Sequence, residues 1–179
     1  MLHVLLFILL LLPQQPSSHR VERELTPINQ VELANVLREG HRNVFGSYPS
    51  RNRLAVGWAQ VAIENRQGLE TYNHNLGNIN SAPTRPYYVK RNRFKAHPDF
   101  ITGAEDYWRV VRKMCSRSLV HFDNGDPYSA AQALYGCGYY GADRHLYGRA
   151  MQQLYAQVQG SVIPRLQQPS QKGSGNRPR

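Results

Sequence analysis

One carboxylate stands out by its setting. Between Trp58 and Asn80 the chain reads WAQVAIENRQGLETYNHNLGNIN. Leu54, Trp58, Val61 and Ala62 recur at the spacing of a buried helical face, and Glu64 falls near the C-terminal end of that helix. Gly68 offers a left-handed cap. About ten residues beyond Glu64 comes a loop of short polar side chains, Asn73-His74-Asn75-Leu76-Gly77-Asn78-Ile79-Asn80. A carboxylic acid held partly out of water keeps its proton near neutral pH and can donate it to a glycosidic oxygen. Asn amides offer a donor and an acceptor to sugar hydroxyl and acetamido groups. Asn and Gly also tolerate left-handed backbone, so the loop has a plain turn reading beside the sugar-binding one.

Other chemistries find little support. The seven histidines show no H-x-x-x-H pattern and no neighbouring Cys, so no metal and no cofactor is expected. Asp123-Asn124-Gly125-Asp126 lacks the further ligands of a calcium loop and reads as a turn and helix cap. There is no Gly-rich phosphate loop and no G-x-S-x-G elbow. Trp58 and Trp108 read as core residues.

Five helices can position these groups. Thr26-Pro27 opens the first, which runs through Ile28, Val31, Ala34 and Leu37 to Gly40. The second spans roughly Asn52 to Arg66 and carries Glu64. Thr102-Gly103-Ala104-Glu105 forms a capping box for a third, through Tyr107, Trp108, Val111 and Met114. Asp126-Pro127 starts a fourth. Asp143 caps a fifth, with Tyr147, Ala150, Met151, Leu154 and Val158 on one face and Gly160 at its end. Between the second and third lies Thr71 to Arg93, where Tyr87-Tyr88-Val89 is β-prone. The expected fold is therefore mainly α, with a small hairpin or irregular lobe between helices two and three.

Residues 1–18 resemble a secretory signal, with the apolar run MLHVLLFILLLL followed by a Pro- and Ser-containing break. The run is short for a membrane span. Cleavage near Ser17 to His19 would leave no transmembrane segment in the mature protein, and an uncleaved anchor is the alternative. The remainder, about 160 residues, suffices for one domain, expected over 19–160 as a monomer. Residues 161–179 read as a disordered basic tail. In an exported protein Cys115 and Cys137 can form a disulfide; two buried thiols are the other reading.

The net charge is +10. Arg85 to Lys95, RPYYVKRNRFK, mixes bases with aromatics. Such a stretch can hold nucleic acid or an anionic envelope polymer, or be a solvated face. The N-terminus favours the envelope and no specific nucleic acid.

Ala59-x-x-Ala62-x-Glu64, Gly68 and Asn75-Leu76-Gly77-Asn78-Ile79 together resemble the glucosaminidase family of peptidoglycan hydrolases, of the autolysin and flagellar-muramidase type on a lysozyme-like fold. Arg93-Phe94-Lys95-Ala96 with Gly103-Ala104-Glu105-Asp106-Tyr107 is similar to a second family segment. Ala130-Ala131-Gln132-Ala133-Leu134, Gly138-Tyr139-Tyr140-Gly141-Ala142-Asp143 and Tyr147 resemble its closing motif. The likeness spans Leu54 to Val158. It implies an exported enzyme cutting the β-1,4 glycan backbone of peptidoglycan, with Glu64 as general acid. It places Tyr139, or Tyr140 in the adjacent register, beside that acid, and Asn73, Asn75 and Asn78 along the sugar cleft. Lytic transglycosylases and lysozymes share the fold, and a binding module without activity is a further alternative. A two-carboxylate scheme needs a second acid, yet Thr71 to Arg93 holds no Asp or Glu. The candidates are Glu70 and Asp99; the alternative is a single-acid mechanism with Glu64 alone.

Overall fold

Buried on nearly every side, one helix runs through the centre of the molecule and ends at Glu64. The computed structural model describes residues 19–80, 86–89 and 93–166; the signal-like segment, Arg85, Lys90 and Arg91 lie outside them. Helix α2 (Arg51–Glu64) is N-capped by Ser50, and every residue from Leu54 to Ala62 is buried. A helix apolar all round must be surrounded. Helices α1 (Gln30–Phe45), α4 (Leu119–Asn124), α5 (Pro127–Gly136) and α6 (Arg144–Ser161) pack against it. Helix α3 (Phe100–Met114) lies on α1. Trp58 and Trp108 are both fully buried core residues; their indole N–H groups donate to Gln30 O (3.0 Å) and Leu37 O (2.8 Å).

The fold is mainly α, with a hairpin between helices two and three, as the sequence pattern predicts. Strands β1 (Tyr87–Val89) and β2 (Arg93–Lys95) pair antiparallel, Tyr87 opposite Lys95. Buried Tyr88 makes ring contacts with Tyr72 and Phe94, giving the hairpin a small core of its own. The N-terminal strip runs alongside: Val21 N donates to Tyr87 O and Tyr87 N to His19 O.

Several helix limits differ from expectation, some for a tertiary and some for a local reason. Thr26 does not cap α1. Its N–H donates to Thr71 O, and its hydroxyl accepts from His74 N–H (3.0 Å), so residues up to Ile28 are stitched to the Asn loop. Asn29 caps instead, accepting from Glu32 N. Nor does α1 stop at Gly40. A Cβ there would lie 2.7 Å from that of Ala104, so glycine serves close approach of α3, and the helix ends at left-handed Gly46. Helix α2 stops at Glu64, with Arg66, Gln67 and Gly68 all at positive φ. Gly68 is not the cap but a contact point: a Cβ would meet Ile28 O at 2.1 Å. Asp99, not the Thr102–Glu105 box, caps α3, because its carboxylate accepts from Thr102 N at 2.7 Å. Glu105 instead pairs with Arg109.

Asp126 and Asp143 cap α5 and α6 as expected. The sequence reading passes over α4, which buried Phe122 anchors and the Arg53–Asp123 ion pair ties to α2. The start of the expected tail is also folded. Val162 and Ile163 are buried, the latter in the short turn α7 (Ile163–Leu166); residues 167–179 lie outside the described structure. No described helix is long and apolar enough to cross a membrane.

Cys115 and Cys137, 22 positions apart in sequence, form a disulfide with Cα atoms 5.4 Å apart. It joins the residue after α3 to the residue after α5. Replacing both cysteines by alanine should cost about 2–4 kcal/mol, the usual worth of closing a loop of this size. Urea unfolding of the double variant against oxidised wild type measures it, and a difference within error would remove the disulfide from the account of stability.

Candidate active site

Glu64 closes α2, so its side chain leaves a buried helix just where the backbone turns away. It is only partly exposed. Burial raises its carboxyl pKa above the ordinary 4.5, and hydrogen bonds from Tyr147 and Asn78 oppose that rise. Tyr147 Oη donates to Glu64 Oε1 at 2.6 Å. Asn78 Nδ2 donates to Oε2 at 3.2 Å and to the Glu64 carbonyl at 2.7 Å. Each carboxyl oxygen thus has one donor. The partners come from two different segments, the Asn loop and α6.

Tyr147 is the phenol that the sequence reading placed on a helix face and not at the acid. Its own ionisation is pushed well above 10 by burial and by the Glu64 charge, so it remains a donor throughout. The two expected tyrosines do other work. Tyr139 donates to Gly77 O at 2.9 Å and so pins the Asn loop to the segment between α5 and α6. Gly77 permits this, because a Cβ would sit 2.5 Å from the Tyr139 oxygen. Tyr140 stacks on Tyr147, ring centres 3.7 Å apart and planes 11° from parallel, and donates to Ala131 O. It buttresses the partner of the acid. Burial raises the Tyr140 phenol to about 12.

Gln60 is another residue not singled out from sequence. It lies one turn before Glu64, fully buried. Its amide is near the phenols of Tyr139 and Tyr147 but completes a hydrogen bond with neither. The i, i+4 spacing from Glu64 was the available signal.

Of the three asparagines expected along the sugar cleft, only Asn78 reaches the carboxyl. Asn73 accepts from Glu24 N and donates to Glu22 O. Asn75 is buried, accepts from Ile79 N and donates to Ile79 O and Lys95 O. Both amides bond backbone groups and so hold the loop. Asn73, His74 and Asn78 take positive φ (48°, 56° and 49°), where Asn costs less than most residues. The candidate second carboxylates have other partners. Glu70 pairs with Arg66, and Asp99 caps α3; neither is among the groups acting on Glu64. Lys95 is likewise committed, bonding both oxygens of Asp106 at 2.8 and 3.0 Å. Arg93 lies over the Tyr87 ring.

An open cavity of about 280 Å³ flanks the site, with Gly77, Asn78, Asn80, Met114 and Tyr139 in its wall. The arrangement offers a partly desolvated carboxylic acid and two fixed donors on its oxygens, one of which, Asn78, also lines the cavity; Glu64 itself is not in the cavity wall. No family model, curated protein or solved structure matches the chain.

A raised carboxyl pKa has a definite sign in stability. Below the ordinary value of 4.5 the group is protonated in both folded and unfolded states. As pH rises, the unfolded chain releases the proton first, so stability falls until the folded pKa is passed. Glu64→Gln removes that loss. Its melting temperature relative to wild type should therefore climb as pH is raised from about 4 toward 8, using the linkage above. A difference independent of pH would mean that Glu64 titrates normally.

Proposed function

We propose that this protein is an exported glycoside-cleaving enzyme acting on the β-1,4 backbone of peptidoglycan, with Glu64 as general acid. The observation that carries the reading is the Glu64 carboxyl itself: withdrawn from water, raised in pKa, yet partly open to solvent and bonded to Asn78, which lines a cavity. The resemblance of Leu54–Val158 to peptidoglycan glucosaminidases supplies the substrate class.

On this reading the acid proton sits on Oε2. Oε1 accepts the short bond from Tyr147, whereas Oε2 has only the longer contact with Asn78. Proton transfer from Oε2 to the glycosidic oxygen leaves a carboxylate that both donors stabilise. Glu64 then serves as base in the second half of the reaction, taking a proton from the incoming nucleophile. A single-acid scheme fits the absence of Asp and Glu from Thr71 to Arg93 and the other employment of Glu70 and Asp99. It accommodates water as the nucleophile or, in a lytic transglycosylase, a hydroxyl of the substrate. A glycan-binding module without activity is the competing reading.

Mass spectrometry of products from purified peptidoglycan tests this. Reducing-end N-acetylglucosamine is expected. A reducing N-acetylmuramic acid end would mean a lysozyme-type cut, and an anhydro-muramoyl end a transglycosylase. Glu64→Gln should lower the rate by about 10²–10⁴-fold, the usual contribution of general acid catalysis, while still sedimenting with the wall. Undiminished cleavage would exclude Glu64 as the acid. If wild type releases nothing but binds, the binding-module reading prevails. Tyr147→Phe should leave wall binding intact and move the alkaline limb of the pH–rate profile upward, because a donor favouring the ionised acid is lost. An unmoved limb would remove Tyr147 from control of the proton.

A further inference from the structure

The cavity beside Asn78 does not end at Met114. A second cavity of about 410 Å³ begins there, walled by Met114, Arg117, Ala133, Gly136 and Cys137. The first has Met114, Gly138 and Tyr139 in its own wall. The two therefore meet at Met114 and border one continuous strip of chain, Gly136 to Tyr139, which the disulfide fastens to the end of α3. Met114 is 60% exposed although apolar. A Cβ at Gly136 or at Gly138 would meet nothing within 4 Å, so the strip presents bare backbone to open space. Bare backbone beside an exposed apolar side chain leaves room for the apolar face of a pyranose ring. At the far end stands Arg117, exposed and with no acidic partner among the described residues. Arg109, Arg53 and Lys95, by contrast, are all paired with carboxylates.

We infer that the sugar cleft continues past Met114 across Gly136 and Cys137 as a distal subsite, and that Arg117 binds a carboxylate carried by the glycan chain there. This rests on the reading of the Glu64 site as a glycan cleft. It adds where the chain runs and which substituent is read. A guanidinium matches a carboxylate in a bidentate fork, and a contact remote from the reacting bond serves binding of the polymer.

Binding is tested in the Glu64→Gln background by sedimentation with peptidoglycan strands, either native or with their carboxylates converted to methylamides. Arg117→Glu should weaken binding to native strands roughly 10-fold, the loss expected for one charge-assisted contact, and leave binding to amidated strands unchanged. Gly136→Trp should weaken binding to both, by filling the second cavity. Unchanged melting temperatures establish folding, and Arg117→Glu, a surface change, carries the test even if Gly136→Trp does not fold. An equal effect of Arg117→Glu on both polymers, no effect on either, or failure of the parent to bind would overturn the subsite. Wild-type cleavage of native strands is followed in parallel. Absence of cleavage with the binding pattern intact would count against the catalytic reading alone.

Discussion

A carboxyl group withdrawn from water at the end of a buried helix is the constraint on which the rest of this structure depends. Glu64 can sit there because α2 is enclosed from Leu54 to Ala62, so the helix delivers its last side chain to a place that water reaches only in part. The cost of keeping a charge there is offset by two donors, and neither lies on α2. Asn78 comes from the loop that follows, and Tyr147 from a helix 83 positions later. The loop and α6 must therefore both be held in register with the end of α2.

The surrounding interactions do this by pinning backbone. Tyr139 bonds the carbonyl of Gly77. Asn75 closes the loop on itself and on β2, and Asn73 ties it to the N-terminal strip. Thr26, on the same strip, accepts from His74 N–H with its hydroxyl and donates its own N–H to Thr71 O. Tyr140 stacks on Tyr147 and fixes its ring. The disulfide holds the chain just before Tyr139 to the end of α3. Loops normally carry function because they are free to vary. Here the loop is over-determined, and three of its residues, Asn73, His74 and Asn78, are kept at positive φ by these contacts.

Specificity for a polymer would follow from the same economy. The residues that look available from sequence are largely engaged. Lys95 is bound to Asp106, and the amides of Asn73 and Asn75 face backbone. What lies open is the strip from Gly136 to Tyr139, with Met114 opposite and Arg117 beyond it.

The amino-acid sequence by itself determined the mainly helical fold, the central helix, the hairpin between helices two and three, the caps at Asp126 and Asp143 and the candidacy of Glu64. These signals are local: apolar spacing, a side chain that satisfies its own helix N-terminus, an acid just past a buried face. Only the tertiary structure decided that Asn29 caps its helix in place of Thr26, since Thr26 is claimed by His74 and Thr71; the cap at Asp99 is a local contact, with Thr102 N three residues on, that the reading of a Thr102 box passed over. It also decided that α1 passes through Gly40, because α3 presses on that point. And it chose Tyr147 over Tyr139 and Tyr140 as the partner of Glu64. All three are phenols within one short segment, and which of them meets the acid depends on how α6 is set against α2, a relation between distant parts of the chain that no local spacing encodes.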